Sequence, residues 1–359
     1  MPSADFGLDF ALIVHPDSWS TAAAVMSALR GPQRPPIPME DLRQILPWIP
    51  PRPVSRINVA SSQGRHTRGT YIDTFIPPDR LEGKFLRENL ARVREAAECA
   101  VREGARIVAL GGFSSILLEG RTDFLPAHSG TSFTTGNTLT VALIIRGIER
   151  AVELAGRRLS DLRVLVIGAS GDVGSGCARY LAPQVRQLLL CARNPERLRR
   201  FATEFSGLSR SVDADCDLSR LAAKADVVIC AASTTSPLDL PTLRSDAIVC
   251  DAGYPKNLLP RDGGTTFFGG FGQACDIKLD PDLLGIIYPY PVANIAHGCL
   301  LEAIALALEN RFEPFSQGRG QIVPERVAEI WQIAQRHGIG LPPLFNSEGL
   351  VEAPLELRS

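Results

Sequence analysis

Two stretches of this chain combine residue types and spacings that suit chemistry. The first is Val164-Leu-Val-Ile-Gly-Ala-Ser-Gly-Asp-Val-Gly-Ser175, an apolar run leading into Gly168, Gly171 and Gly174. A buried strand followed at once by such a turn and a helix is the arrangement that holds a dinucleotide. Gly168 permits the tight turn, Gly171 lets the backbone approach a pyrophosphate, and Gly174 lets the helix pack on the strand. The helix N-terminus, with Ser170, Asp172 and Val173 around it, offers amide donors and a partial positive charge to the phosphates. An ordinary strand-to-helix turn is the alternative, and the alternation of strands and helices downstream speaks against it.

About twenty residues further on, an NAD enzyme presents an acid to the ribose 2′-hydroxyl. Here the strand ends Cys191-Ala192-Arg193-Asn194, without an acid. Arg193, Asn194 and Arg197 suit a 2′-phosphate instead, so the expected cofactor is NADPH, two solvated arginines being the alternative.

The second stretch is Asn294-Ile-Ala-His-Gly-Cys-Leu-Leu-Glu302. It places Cys299 in the first turns of an expected helix, where the helix field favours the thiolate, the species that attacks. Most other cysteines lie in apolar strands, and an inert buried thiol is the alternative for Cys299 as well. His297 reads as a surface or capping residue, its ring directed away from the thiol. The histidines at 15, 66, 128, 297 and 337 are isolated, and no metal site is expected.

The elements that must position these groups fall into two halves. An N-terminal α/β substrate domain is expected over 1–139, opening with a strand at 10–14 and a helix at 19–29. Prolines at 31–53 exclude regular structure except a turn near 41–45. A helix at 81–103, a strand at 107–110 and the turns Gly111-Gly-Phe-Ser-Ser115 and Phe133-Thr-Thr-Gly-Asn137 follow. A linking helix, 140–158, leads to a Rossmann-like NAD(P)-binding domain, 159–290, with strands at 164–167, 187–191, 227–230, 248–250 and 266–268. C-terminal helices occupy 291–359, at about 292–309 and 325–337.

The chain carries 38 basic and 39 acidic residues, which excludes the positive field that nucleic acid requires. No window reaches the roughly eighteen apolar residues of a membrane span, and a cytoplasmic enzyme is expected.

The distributed pattern resembles the cyanobacterial-type long-chain acyl-acyl carrier protein reductases. It comprises Ala109-Leu-Gly-Gly-Phe-Ser-Ser115, Phe133-Thr-Thr-Gly-Asn137, the glycine turn, Ala192-Arg193-Asn194 with Glu196-Arg197-Leu198, Asp251-Ala-Gly-Tyr-Pro-Lys-Asn257, Cys299 with Glu302-Ala303, and Ser316-Gln-Gly-Arg319 with Gln321-Ile322. These segments are collinear over about residues 105–340, and the first hundred residues agree less well. The resemblance implies an active-site cysteine at Cys299, NADPH-dependent reduction of an acyl carrier protein or coenzyme A thioester to an aldehyde, and a downstream aldehyde-consuming partner. Ser114 and Thr135 are then candidates for stabilising an oxyanion or placing the nicotinamide, with turn chemistry as the alternative. Lys256, at the carboxyl edge of the sheet, is a candidate for a phosphate of the cofactor or carrier, or a solvated loop residue. The rival readings are a shikimate or quinate dehydrogenase-like alcohol oxidoreductase, which uses a lysine and aspartate pair in the first domain, and a non-catalytic NADPH-binding protein.

Overall fold

The apolar run Phe10–Val14 forms β1, and Ser18 starts helix α1 (Trp19–Arg30) by accepting the Thr21 amide on its hydroxyl. The computed structural model describes residues 7–351 except 82, 119–123, 128–129, 208–210, 233, 235–237, 255, 257, 260, 262 and 319. His128, Pro255, Asn257 and Arg319, all named above, lie outside the described residues. Helix α2 (Met39–Ile45) sits within the Pro-rich stretch, followed by an antiparallel hairpin of β2 (Arg52–Ala60) and β3 (His66–Asp73). The expectation of irregular chain up to residue 53 is thus corrected at its end. Pro53 lies inside β2, where the register with β3 shifts, and a bulged position tolerates a residue without an N–H.

Helix α3 (Leu86–Arg102), β4 (Ile107–Leu110), the short helix α4 (Phe113–Leu117) and β5 (Ser132–Thr134) complete the first half. Helix α5 (Asn137–Leu154) then leads into β6 (Arg163–Ile167), α6 (Asp172–Leu181), β7 (Gln187–Cys191), α7 (Pro195–Ala202), β8 (Ser211–Asp215), α8 (Leu218–Ala222), β9 (Val227–Cys230), β10 (Ile248–Asp251) and β11 (Thr265–Phe268). These strands pair in parallel in the order β11-β10-β9-β6-β7-β8. Strand order reverses between β6 and β9, which is where a doubly wound sheet opens its ligand crevice. The α/β class and Rossmann-like second half read from the sequence hold.

Beyond β11 the chain makes β12 (Phe271–Gln273), β13 (Asp276–Asp280), α9 (Leu284–Ile287), β14 (Ile295–His297), α10 (Gly298–Leu308) and α11 (Pro324–Arg336). β13 returns to the first sheet, antiparallel to β2, giving the order β13-β2-β3-β1-β4-β5. Residues 295–297 are a strand paired with β12, so the helix expected from about 292 begins at Gly298.

Helices α5 and α10 pack on each other between the two sheets. Every residue of α10 except Cys299 is buried, and Glu302 is its one charged side chain. Such a helix is stable only with apolar neighbours all round and a partner for that charge. Among the described residues no helix is long and apolar enough to cross a membrane.

Candidate active site

A cavity of about 550 Å³ lies where the two halves meet. Its lining joins three groups of residues: the glycine turn with Arg193, Asn194 and Arg197; an apolar set from the first half, including Leu12, Val25 and Val54; and Gly112, Asn137, Tyr254, His297 and Cys299. Gly168 has φ +82°, and a Cβ on Gly174 would stand 2.3 Å from the Gly168 carbonyl oxygen, so neither position accepts a side chain. The N-cap of α6, Gly171, offers no side-chain bond to the helix amides, which leaves them for a ligand. This donor set fits the pyrophosphate of a dinucleotide.

Arg193 and Arg197 are exposed on the cavity rim, and Asn194 caps α7 by accepting the Arg197 amide at 2.9 Å. Asp172 is buried, with its Oδ2 accepting from Asn137 Nδ2 at 2.8 Å and its Oδ1 without a hydrogen-bond partner among the described residues. Burial raises its carboxyl, against the Asn137 hydrogen bond and the Arg179 charge. Asn137 heads α5 and Asp172 heads α6, so this contact fixes one helix start against the other.

Cys299 occupies the first turn of α10, half-buried in the cavity wall. Close backbone packing sets its place: a Cβ on Gly136, which has φ +70°, would fall 2.2 Å from Cys299 Cα. The expected stabilisation of the thiolate by the helix does not dominate. Burial pushes the thiol up to about 11, with the Leu300 and Gly112 amides opposing and the Glu302 charge adding to the rise. The Gly112 turn is itself held by His15, whose Nε2 accepts the Phe113 amide at 3.0 Å while Nδ1 meets the Pro16 carbonyl at 3.1 Å.

One turn after Cys299, the Glu302 carboxylate accepts from Thr134 Oγ1 (2.7 Å), Ser316 Oγ (2.8 Å) and the Leu139 amide (2.9 Å). Ser316 Oγ also accepts the Thr138 amide at 3.0 Å. Two first-turn donors of α5 are therefore satisfied by side chains of the C-terminal segment, which locks the start of α5 to the start of α10. Burial raises the Glu302 carboxyl against these bonds. Sequence reading assigned Glu302 no role, although a lone acid in an apolar helix is a signal that such a partner set exists.

The cavity does not take every expected residue. Ser114 is fully buried outside the lining, its Oγ without a hydrogen-bond partner among the described residues, while Ser115 lines the cavity. Thr135 is also behind the wall, its amide donating to the Ser316 carbonyl at 2.8 Å. Lys256 does line the cavity, but its ammonium donates to the carbonyls of Asp251 (2.8 Å) and Gly269 (3.3 Å) and sits over Phe268 and Phe271. Burial lowers its pKa.

His297 stands at the N-cap of α10, as a capping residue would, but its side chain makes no cap hydrogen bond, and because β14 rather than helix precedes Cys299 the ring lines the cavity instead of the surface. There it meets Phe271 at 4.4 Å and Tyr288 at 5.1 Å between ring centroids. Burial and then the Lys256 charge lower its pKa to about 3, so the ring is neutral. Two further wall residues escaped sequence reading, Tyr71 and Tyr288, whose hydroxyls are 3.1 Å apart.

Residues 148–257 match the family model for shikimate / quinate 5-dehydrogenase. A long-chain acyl-[acyl-carrier-protein] reductase of Synechococcus elongatus is 32% identical over 302 residues, covering 80% of this chain and 87% of the relative. The aminotransferase PigE of a Serratia species is 28% identical over 264 residues, 70% of this chain but only 30% of that longer protein. Among solved structures, the shikimate 5-dehydrogenase of Listeria monocytogenes is 12% identical with a TM-score of 0.37, covering 91% of this chain and 97% of its own. The L-tryptophan dehydrogenase of Nostoc punctiforme is 13% identical with a TM-score of 0.34, covering 93% and 85%.

Proposed function

The chain belongs to the long-chain acyl-[acyl-carrier-protein] reductase family, and we propose that it reduces a long-chain acyl thioester to an aldehyde with NADPH, through an acyl group carried on Cys299. The observation that carries this reading is that Cys299 and the glycine turn line one cavity, together with an apolar set suited to an acyl chain.

The turn from Gly168 to Gly174 and the α6 amides would hold the dinucleotide phosphates, with Arg193 and Arg197 at the 2′-phosphate. When bound, NADPH supplies one hydride. Cys299 Sγ attacks the carbonyl carbon of the thioester. The bond from that carbon to the carrier sulfur breaks, and the carrier sulfur leaves with its electron pair and takes the proton released by the thiol. The acyl group then sits on Cys299 as a second thioester. Once its carbon has been reduced, the oxygen carries the negative charge; the C=O bond forms again as the carbon–Sγ bond breaks, aldehyde leaves, and Sγ takes one proton from solvent.

The carrier is acyl carrier protein, by analogy with the Synechococcus relative's name, and the resulting aldehyde would pass to an aldehyde-consuming enzyme. A shikimate-type alcohol oxidoreductase is disfavoured by the first half: Lys84, the one lysine before α5, does not line the cavity. The test is turnover of palmitoyl and stearoyl thioesters of acyl carrier protein and coenzyme A with NADPH or NADH, following aldehyde by gas chromatography. Aldehyde from the carrier protein thioesters with NADPH supports the reading; shikimate- or quinate-dependent NADP reduction without aldehyde would refute it.

A further inference from the structure

The Leu300 and Gly112 amides act electrostatically on the Cys299 thiol, which leaves open what receives the carbonyl oxygen of an acyl group bound there. Every step of acyl transfer through a thiol places negative charge on that oxygen, and a dry cavity must supply a donor for it.

Tyr71, on β3, and Tyr288, just after α9, come from opposite ends of the chain, and both are buried in the wall that holds Cys299. Their hydroxyl oxygens are 3.1 Å apart, and the His297 amide, two residues before Cys299, donates to Tyr288 Oη at 3.5 Å. Two hydroxyls carry two hydrogens, and one of these is used within the pair. The other has no acceptor among the described residues, whichever tyrosine bears it. A buried hydroxyl hydrogen without an acceptor is costly unless a ligand supplies one. A charge on Cys299 acts on both rings, which puts the pair within electrostatic reach of the reacting sulfur.

We infer that the Tyr71–Tyr288 pair is the oxyanion donor of this site, its spare hydroxyl hydrogen bonding the acyl carbonyl oxygen while that carbon is attached to Cys299. Tyr288, which also receives the His297 amide, makes the contact, and Tyr71 is a positioning residue that polarises it. The hydrogen stays on the tyrosine throughout. Charge gathers on the acyl oxygen as the carbon becomes tetrahedral, and returns to form the C=O bond as the carbon–sulfur bond breaks and its electron pair leaves with sulfur. This inference rests on the proposed acyl-thioester reading.

The test separates acyl transfer from access to the thiol. Wild type, Tyr288→Phe and Tyr71→Phe are mixed with palmitoyl-acyl carrier protein without NADPH, and the Cys299 acyl adduct is timed by quenched intact-mass spectrometry. The same proteins are timed with iodoacetamide, which reaches the same thiol through a reaction that forms no oxyanion. Tyr288→Phe should slow acylation on the order of a hundredfold, the usual cost of one oxyanion donor, and leave alkylation within twofold of wild type. Tyr71→Phe should slow acylation about fivefold, the effect of one neutral hydrogen bond, again without touching alkylation. Acylation near the wild-type rate in Tyr288→Phe, or an equal slowing of both reactions in either variant, overturns the inference. Absence of any adduct in the wild type overturns the parent reading, and this one with it.

Discussion

Replacing Gly136 with alanine tests the geometry that places the thiol. A residue with a side chain at φ +70° costs about 1–2 kcal/mol, because Cβ approaches the following carbonyl. The new Cβ would also stand 2.2 Å from Cys299 Cα and 2.6 Å from Cys299 Cβ, contacts that no rotamer change relieves because both belong to the first turn of α10. Overpacking of this kind adds about 1–3 kcal/mol, for a total of about 2–5 kcal/mol. That is tolerable for a chain of ordinary stability but large enough to read by urea unfolding. The relief available is movement of the α10 start away from α5. A misplacement of about 1 Å at a nucleophile lowers turnover by about a hundredfold. Equilibrium unfolding and aldehyde assays on Gly136→Ala should therefore both register the change, while NADPH binding, measured by fluorescence, stays near wild type. Stability within 0.5 kcal/mol of wild type together with unaltered turnover would refute the argument that backbone contact fixes Cys299.

Alkylation of Cys299 by iodoacetamide should rise about tenfold per pH unit from 7 to 10, because its thiol lies near 11; a plateau below pH 8 would contradict this. Asp73, buried in the cavity wall with its Oδ1 accepting the Phe75 amide at 2.7 Å, has its carboxyl raised by burial to about 7. Between about pH 4 and 7 the folded chain holds a proton that the unfolded chain has lost, so stability falls as pH rises through that window, by at most about 4 kcal/mol. Urea melts at pH 4.5 and 8 should give a difference that largely disappears in Asp73→Asn, and an unchanged difference would exclude Asp73 as its source. Substituting Arg193 and Arg197 together with alanine should weaken NADPH binding about ten- to a hundredfold and leave NADH binding nearly unchanged, as titration calorimetry can tell; equal losses for both would remove the 2′-phosphate assignment.

The strands of the second half were legible because helices cover both faces of their sheet, so β6, β7, β9 and β10 are apolar apart from a single end residue, Arg163, Gln187 or Asp251, in three of them. The glycine turn was legible for the same reason, since it follows directly on β6. Strands β2, β3 and β8 were not read. β8, Ser211–Asp215, is an edge strand carrying two aspartates, and β2 exposes Arg52 and Arg56, so neither shows the apolar run that marks a central strand. The return of β13 to the first sheet was likewise hidden, because a pairing across more than two hundred residues leaves no local pattern.

The site divides along the same line. Cys299 and the glycine turn announce themselves in local sequence, whereas the groups that surround the thiol do not. Tyr71 and Tyr288 meet only through the fold, 217 residues apart, and His297 faces the cavity because a short strand replaces the first turn of the expected helix. Ser114 and Thr135 were drawn from turns of the right composition, yet their neighbours Ser115 and Asn137 are the ones that reach the cavity. One or two steps along a tight turn change which side chain faces a ligand, and composition carries no information about them.

The most direct test of the account is intact-mass spectrometry of wild type and Cys299→Ala after mixing with long-chain acyl-acyl carrier protein, before and after addition of NADPH. The account predicts an adduct of one acyl group on the wild type alone, which disappears on adding NADPH as an equal amount of aldehyde forms. Aldehyde formation by Cys299→Ala at the wild-type rate, or an acyl adduct that persists in NADPH while aldehyde accumulates, would contradict it.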